Sequence, residues 1–196
     1  MFARILYVVS MMISALIVLY GTTHANLTPK QASSMLYVQV IGQIIGGYAW
    51  VQVTKKLGNT FLMMISHVLP ILIAILGIIS FFIASATGNS CFAFIVLMVL
   101  FSGMNLSAWL GYAHRVIDTV EPEKRTGYLV LQSLLQFPFT FCSYFAGILA
   151  EKVSFLPVFI IVLCSSLVGL GLTGSLHASA GKTAILVETA DEESSS

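Results

Sequence analysis

The chain has 196 residues, of which 58% are hydrophobic and 9% charged, with a formal net charge of +1 and a mean hydropathy of +0.96. A soluble globular domain carries roughly 25% charged residues, so this inventory cannot cover a water-facing surface. The near-zero charge also leaves no basic face for nucleic acid.

The charges are clustered: Leu57 to Ala113, Thr126 to Ala150 and Val153 to Gly181 hold no Asp, Glu, Lys or Arg. A helix satisfies its own backbone polar groups in hydrocarbon, and an uncharged run of about 20 residues is long enough to cross. These runs do not alternate as the strands of a transmembrane barrel do. The expected class is an all-α integral membrane protein with six transmembrane helices.

Taken in order, the spans are expected at about 5–23, 32–53, 60–84, 91–113, 127–149 and 154–174, together a domain of about 1–175. Span 1 carries a thin polar line, Tyr7, Ser10, Ser14 and Gly21. Arg4, the apolar run to Tyr20 and Thr23-His24-Ala25 also have the parts of a secretory leader, but the apolar core is long for one. Thr28-Pro29-Lys30 punctuates the entry to span 2, where Gln39, Gly42, Gln43 and Gly46 fall at i, i+3, i+4 and i+7 on one stripe. Thr54 to Asn59 separates span 2 from span 3, which is apolar nearly all round from Ile71 to Ile83 but carries His67 three residues before Pro70. That imidazole could relay protons or bond a carbonyl freed by the proline.

Ser85 to Ser90 leads into span 4, which divides its faces. Gly103, Ser107 and Gly111 recur every four residues, with Ser102, Asn105, Trp109 and Tyr112 on the other side. The charged stretch His114 to Arg125 precedes span 5 and its stripe of Gln132, Gln136, Thr140, Ser143 and Gly147. After Glu151-Lys152, span 6 is poor in polar groups. The polar segment 176–196 is expected to be a disordered tail. Cys91, Cys142 and Cys164 lack metal-ligand spacing and read as small apolar packing residues.

With the N-terminus inside, Arg4, Lys55, Lys56, Arg115, Lys124, Arg125 and Lys182 face the cytoplasm, against Lys30 and Lys152 outside. The positive-inside rule therefore puts both termini in the cytoplasm of a cell-membrane protein. Polar groups inside spans face protein or a wet cavity. One reading is an aqueous path lined by spans 1, 2, 4 and 5, with spans 3 and 6 against lipid. The other is that small and amide side chains bind helix to helix. The glycine stripes favour packing, while Gln39, Gln43, Asn105, Trp109, Gln132 and Gln136 are candidates to line a substrate cavity. Inside the spans there is no Asp or Glu to carry a coupling cation and no Arg or Lys to hold an anion.

Two groups of three spans, with the polar faces in the first two of each, match the 3+3 repeat found within six-span halves of major facilitator transporters. That family's loop signature, Gly-x-x-x-Asp-Arg/Lys-x-Gly-Arg/Lys-Arg/Lys, aligns on Gly58. Lys56 and Gly58 match, but Val51 replaces the first glycine, Lys55 the acid, and Asn59-Thr60 the basic pair. The mismatch suits the degenerate second-half copy and leaves no acid for a salt-bridge latch. Arg115 and the run Glu121-Pro122-Glu123-Lys124-Arg125-Thr126-Gly127 look like the corresponding segment between spans 4 and 5.

The chain thus resembles the C-terminal half of a major facilitator transporter over about residues 1–175. The resemblance implies alternating-access transport of a small solute, with Lys56, Gly58, Arg115 and Arg125 as cytoplasmic gating-loop candidates. It further implies a partner beyond the lipid bilayer, namely a second six-helix half or a second copy. Met1 lies almost at the start of span 1, which suits a split or truncated gene. A non-transporting membrane scaffold is the alternative. No nucleophile, metal cluster or phosphate-binding loop suggests an enzyme or a bound cofactor.

Overall fold

The computed structural model describes residues 2–87 and 92–195, without the side chains of Thr87, Arg115, Asp118 and 176–195. Among the described residues the regular elements are all α-helices: α1 (Phe2–Thr23), α2 (Pro29–Thr87), α3 (Phe92–Ser107), α4 (Leu110–Thr119), α5 (Pro122–Thr140), α6 (Cys142–Lys152) and α7 (Phe155–Ser195). The backbone of α7 continues through the segment for which the sequence suggests a tail.

Among the described residues five runs are long and apolar enough to cross a bilayer: Phe2–Thr23, Pro29–Ala86, Phe92–His114, Pro122–Lys152 and Phe155–Ser175. The second has 58 residues, about 87 Å of helix at 1.5 Å per residue and far more than the ~30 Å of hydrocarbon in a bilayer. It bends at Gly58 (φ 80, ψ 171), inside the expected loop between spans 2 and 3, so its arms 29–57 and 59–87 are each long enough for one crossing. Cys91 and the segment 88–90 lie outside the described residues.

Local chemistry sets the ends. Asn26 at φ 52 turns the chain after α1, in the left-handed region that Asn tolerates. Thr28 and Gln31 then form a reciprocal cap: the Thr28 N–H donates to Gln31 Oε1 at 2.9 Å, and the Gln31 N–H donates to Thr28 Oγ1 at 3.3 Å. Pro29 sits in the first turn, where its missing N–H costs nothing. Pro122 does the same for α5, with Glu123 in that turn favoured by the helix dipole.

The core forms around α1, which touches α2, α3, α5, α6 and α7. Ile13, Ile17 and Tyr20 of α1 meet Ile73 and Ala74 of α2, Ile95 and Met98 of α3, and Val158, Phe159 and Val162 of α7. Spans 3 and 6 therefore do not lie simply outside against lipid. Each has one fully buried stripe, including Ser66, His67 and Ser80 on α2 and Ser166 and Thr173 on α7. Each also has an exposed face, with Leu72 and Ile79 on one and Ile161 and Val168 on the other.

Candidate functional site

The glycine stripes of spans 2 and 4 meet each other. A Cβ on Gly42 would collide with the Leu100 carbonyl, one on Gly46 would come within 2.8 Å of Met104 Cα, and one on Gly103 would collide with the Gln39 carbonyl. Their use is close backbone approach, the packing reading. Trp50 Nε1 closes the seam by donating to the Met104 carbonyl at 2.9 Å.

A buried polar cluster joins α1, α2, α3 and α4 near the N-terminal end of α1. Ser66 Oγ donates to the Met63 carbonyl at 2.6 Å and lies 3.2 Å from Tyr112 Oη. Tyr112 Oη is in turn 2.8 Å from His67 Nε2. Each hydroxyl has one proton, so a single direction satisfies every donor: His67 Nε2–H to Tyr112, Tyr112 to Ser66, Ser66 to Met63. In that tautomer His67 Nδ1 is a lone pair, and it has no protein partner. Its ring backs onto Gly169, where a Cβ would collide with it. His67 thus bonds Tyr112 rather than a carbonyl freed by Pro70.

Beside it, Tyr7 Oη donates to the Asn105 carbonyl at 2.8 Å, and the Arg4 guanidinium lies over the Tyr112 ring, 5.8 Å from its centroid. A second cluster joins α1 to α7. Ser10 Oγ donates to the Leu6 carbonyl at 2.8 Å, so Ser166 is the donor in its 2.8 Å bond to Ser10.

The six cavity candidates are not gathered in one place. Gln39 is half-buried and, with Met11, Ser14 and Leu106, lines a groove of about 500 Å³ between α1, α2 and α3. The other five are not among that groove's lining residues. Asn105 and Gln132 are buried, Gln136 is half-buried, and Gln43 and Trp109 are exposed. Ser14 Oγ, Ser102 Oγ, Asn105 Oδ1 and Gln132 Oε1 are buried without a protein partner, and each would gain from a polar ligand there.

Of the gating-loop candidates, Lys56 and Gly58 are exposed at the bend of α2. Arg125 Nε donates to the Val120 carbonyl at 3.0 Å, holding the turn before α5, and the Arg115 side chain lies outside the described residues. Cys142 packs half-buried against the core, while Cys164 is exposed and does not serve as a packing residue.

Sequence reasoning singled out Tyr7, His67 and Tyr112 separately and missed that they converge. Their spacing within each helix was visible, but their meeting depends on how α1, α2 and α4 pack. Among the described residues no group of three metal-ligating side chains is found. No family model, curated protein or solved structure matches the chain.

Proposed function

We propose that this chain is one six-helix half of a major facilitator type transporter, moving a small solute by alternating access, with both termini cytoplasmic. The carrying observation is that two of its interhelical contacts have counterparts under a single exchange of spans. A twofold exchanging spans 1–3 with spans 4–6 would map the contact of span 2 with span 4 onto that of span 5 with span 1. The first is the Gly42–Gly103 seam; the second sets Met12 and Val9 beside Cys142 and Ala146 around a groove of about 200 Å³.

The same operation maps span 3 on span 4, through Ser66, His67 and Tyr112, onto span 6 on span 1, through Ser165, Ser166 and Ser10. Span 3 on span 6, where Gly77 receives the Phe159 ring, maps onto itself. Such pairing is expected of an inverted 3+3 repeat. The scaffold alternative assigned the glycine stripes to helix contacts, and Gly42, Gly46 and Gly103 are already occupied by contacts inside the chain.

In this reading the groove beside Ser14 and Gln39 is part of the solute-facing wall, and the partner is a second half or copy. Cysteine replacing Gln39 tests it. In right-side-out and inverted vesicles containing the chain and its partner half, an impermeant maleimide should label this cysteine from either side. Labelling from only one face would leave a fixed vestibule and sink alternating access.

A further inference from the structure

A groove at the opposite end from the His67 cluster runs between the C-terminal turns of α1, the length of α6 and the start of α7. It holds about 590 Å³ and is lined by Thr23, His24, Ser143, Tyr144, Glu151 and Phe155 among others, within the ordinary range for a small-molecule site. Its charge is one-sided. Glu151 is the only formally charged lining residue, and neither Lys30 nor Lys152 is among those lining it. Two helices end there: the last turn of α1 has no basic side chain, while that of α6 carries Lys152.

Three rings, His24, Tyr144 and Phe155, stand among walls that are otherwise aliphatic or hydroxyl-bearing. The His24 ring stands edge-on to Phe155 at 5.2 Å and stacks on Tyr20 at 5.9 Å, while Tyr144 lines the groove and is 66% exposed. A carboxylate and π faces in one groove form an environment that favours a soft cation over an anion.

We propose that this groove is a binding site for a substituted ammonium group, with Glu151 as counter-ion and Tyr144 and Phe155 as π walls. The ammonium could belong to a free solute or to a phospholipid headgroup, since the groove sits at the end of the spans. Binding alone is at issue, so the proposal does not rest on the transport reading.

The test is equilibrium binding of labelled tetraethylammonium to the whole purified chain in uncharged maltoside micelles, with and without added phosphatidylcholine. Saturable binding is expected, weakened roughly tenfold by Glu151→Gln, about the weight of one charge-assisted contact. It should be largely kept by Glu151→Asp and weakened about threefold by Tyr144→Leu. Competition by phosphatidylcholine assigns the site to a headgroup, and indifference to it assigns a free solute. Absence of saturable binding, or binding unchanged in both Glu151→Gln and Tyr144→Leu, overturns the proposal. Should Glu151→Gln not stay monodisperse, Gly147→Leu narrows the same groove with only Leu16 Cδ2 at 4.0 Å to meet, and its effect decides the matter.

Discussion

Two seams of this molecule do the same job with different chemistry. Where α2 meets α3, glycines bring backbones together until Gly42 touches the Leu100 carbonyl and Gly103 the Gln39 carbonyl. Where α1 meets α5 and α6, the only nearby atom for a Cβ on Gly147 is at 4.0 Å, and grooves of about 590 and 200 Å³ remain along the helices. The consequence is visible in burial: the best apolar window of Phe92–His114 is 39% buried, that of Pro122–Lys152 only 11%. Without a hydrophobic drive between helices in lipid, close packing supplies the adhesion. The glycine seam is therefore the closely packed one, and the other leaves room along its length.

The substitution that should break this comparison most sharply is Gly103→Leu. Its side chain has backbone on every near side, so the loss should exceed the ~1–3 kcal/mol typical of overpacking, read as loss of a cooperative melt or of monodispersity in detergent. Gly147→Leu is its counterpart and should leave the melting temperature nearly unchanged; an equal loss at both would mean the seams do not differ.

Next comes Gly169→Ala, which drives a methyl into the His67 ring and should cost about 1–3 kcal/mol in the same melt. His67→Ala should relieve part of that cost in a double-mutant cycle, and strict additivity would place the strain elsewhere.

Smaller again is Tyr112→Phe. It removes the hydroxyl between His67 and Ser66, leaving Nε2–H without its acceptor, at about 1–2 kcal/mol. The imidazole signals of His67 in nitrogen NMR should shift with it, and unchanged signals would contradict the assigned direction of the chain. The least effect is expected for Gln43→Leu on the exposed side of the glycine seam, within about 0.5 kcal/mol. A large loss there would reveal a partner for that amide.

Much of the fold was legible because it is written in charge and punctuation. The uncharged runs gave the long helices, Thr28-Pro29-Lys30 the entry to α2, and Thr54 to Asn59 the bend at Gly58. Breaks within runs were not legible. Span 4 is interrupted at Ala108–Trp109, where the Asn105 carbonyl accepts from Ala108 N–H and from Tyr7 Oη. Tyr7 comes from another helix, so nothing in the local sequence announces it. Span 5 breaks at Phe141, whose N–H turns to the Pro138 carbonyl; a proline inside an apolar run marks such a break only when the packing around it is known.

The candidate site fared less well. Polarity within a span indicates that a residue avoids lipid, but the choice between a groove, a neighbour's carbonyl and the rim belongs to tertiary packing. Hence Gln39 reached a groove while Gln43, one turn on, faces outward.

The bend of α2 carries one more consequence. At φ 80 and ψ 171, with nothing within 4 Å of a Cβ, Gly58 meets no steric wall beyond its own backbone. An L-residue there stores about 1–3 kcal/mol of backbone strain. Reflected through a mirror the same torsions become ordinary extended backbone, so D-alanine introduced by chemical ligation would fit unstrained. By narrowing the unfolded ensemble it would stabilise the bend by about 0.4–1 kcal/mol. What position 58 asks of its residue is handedness, not smallness.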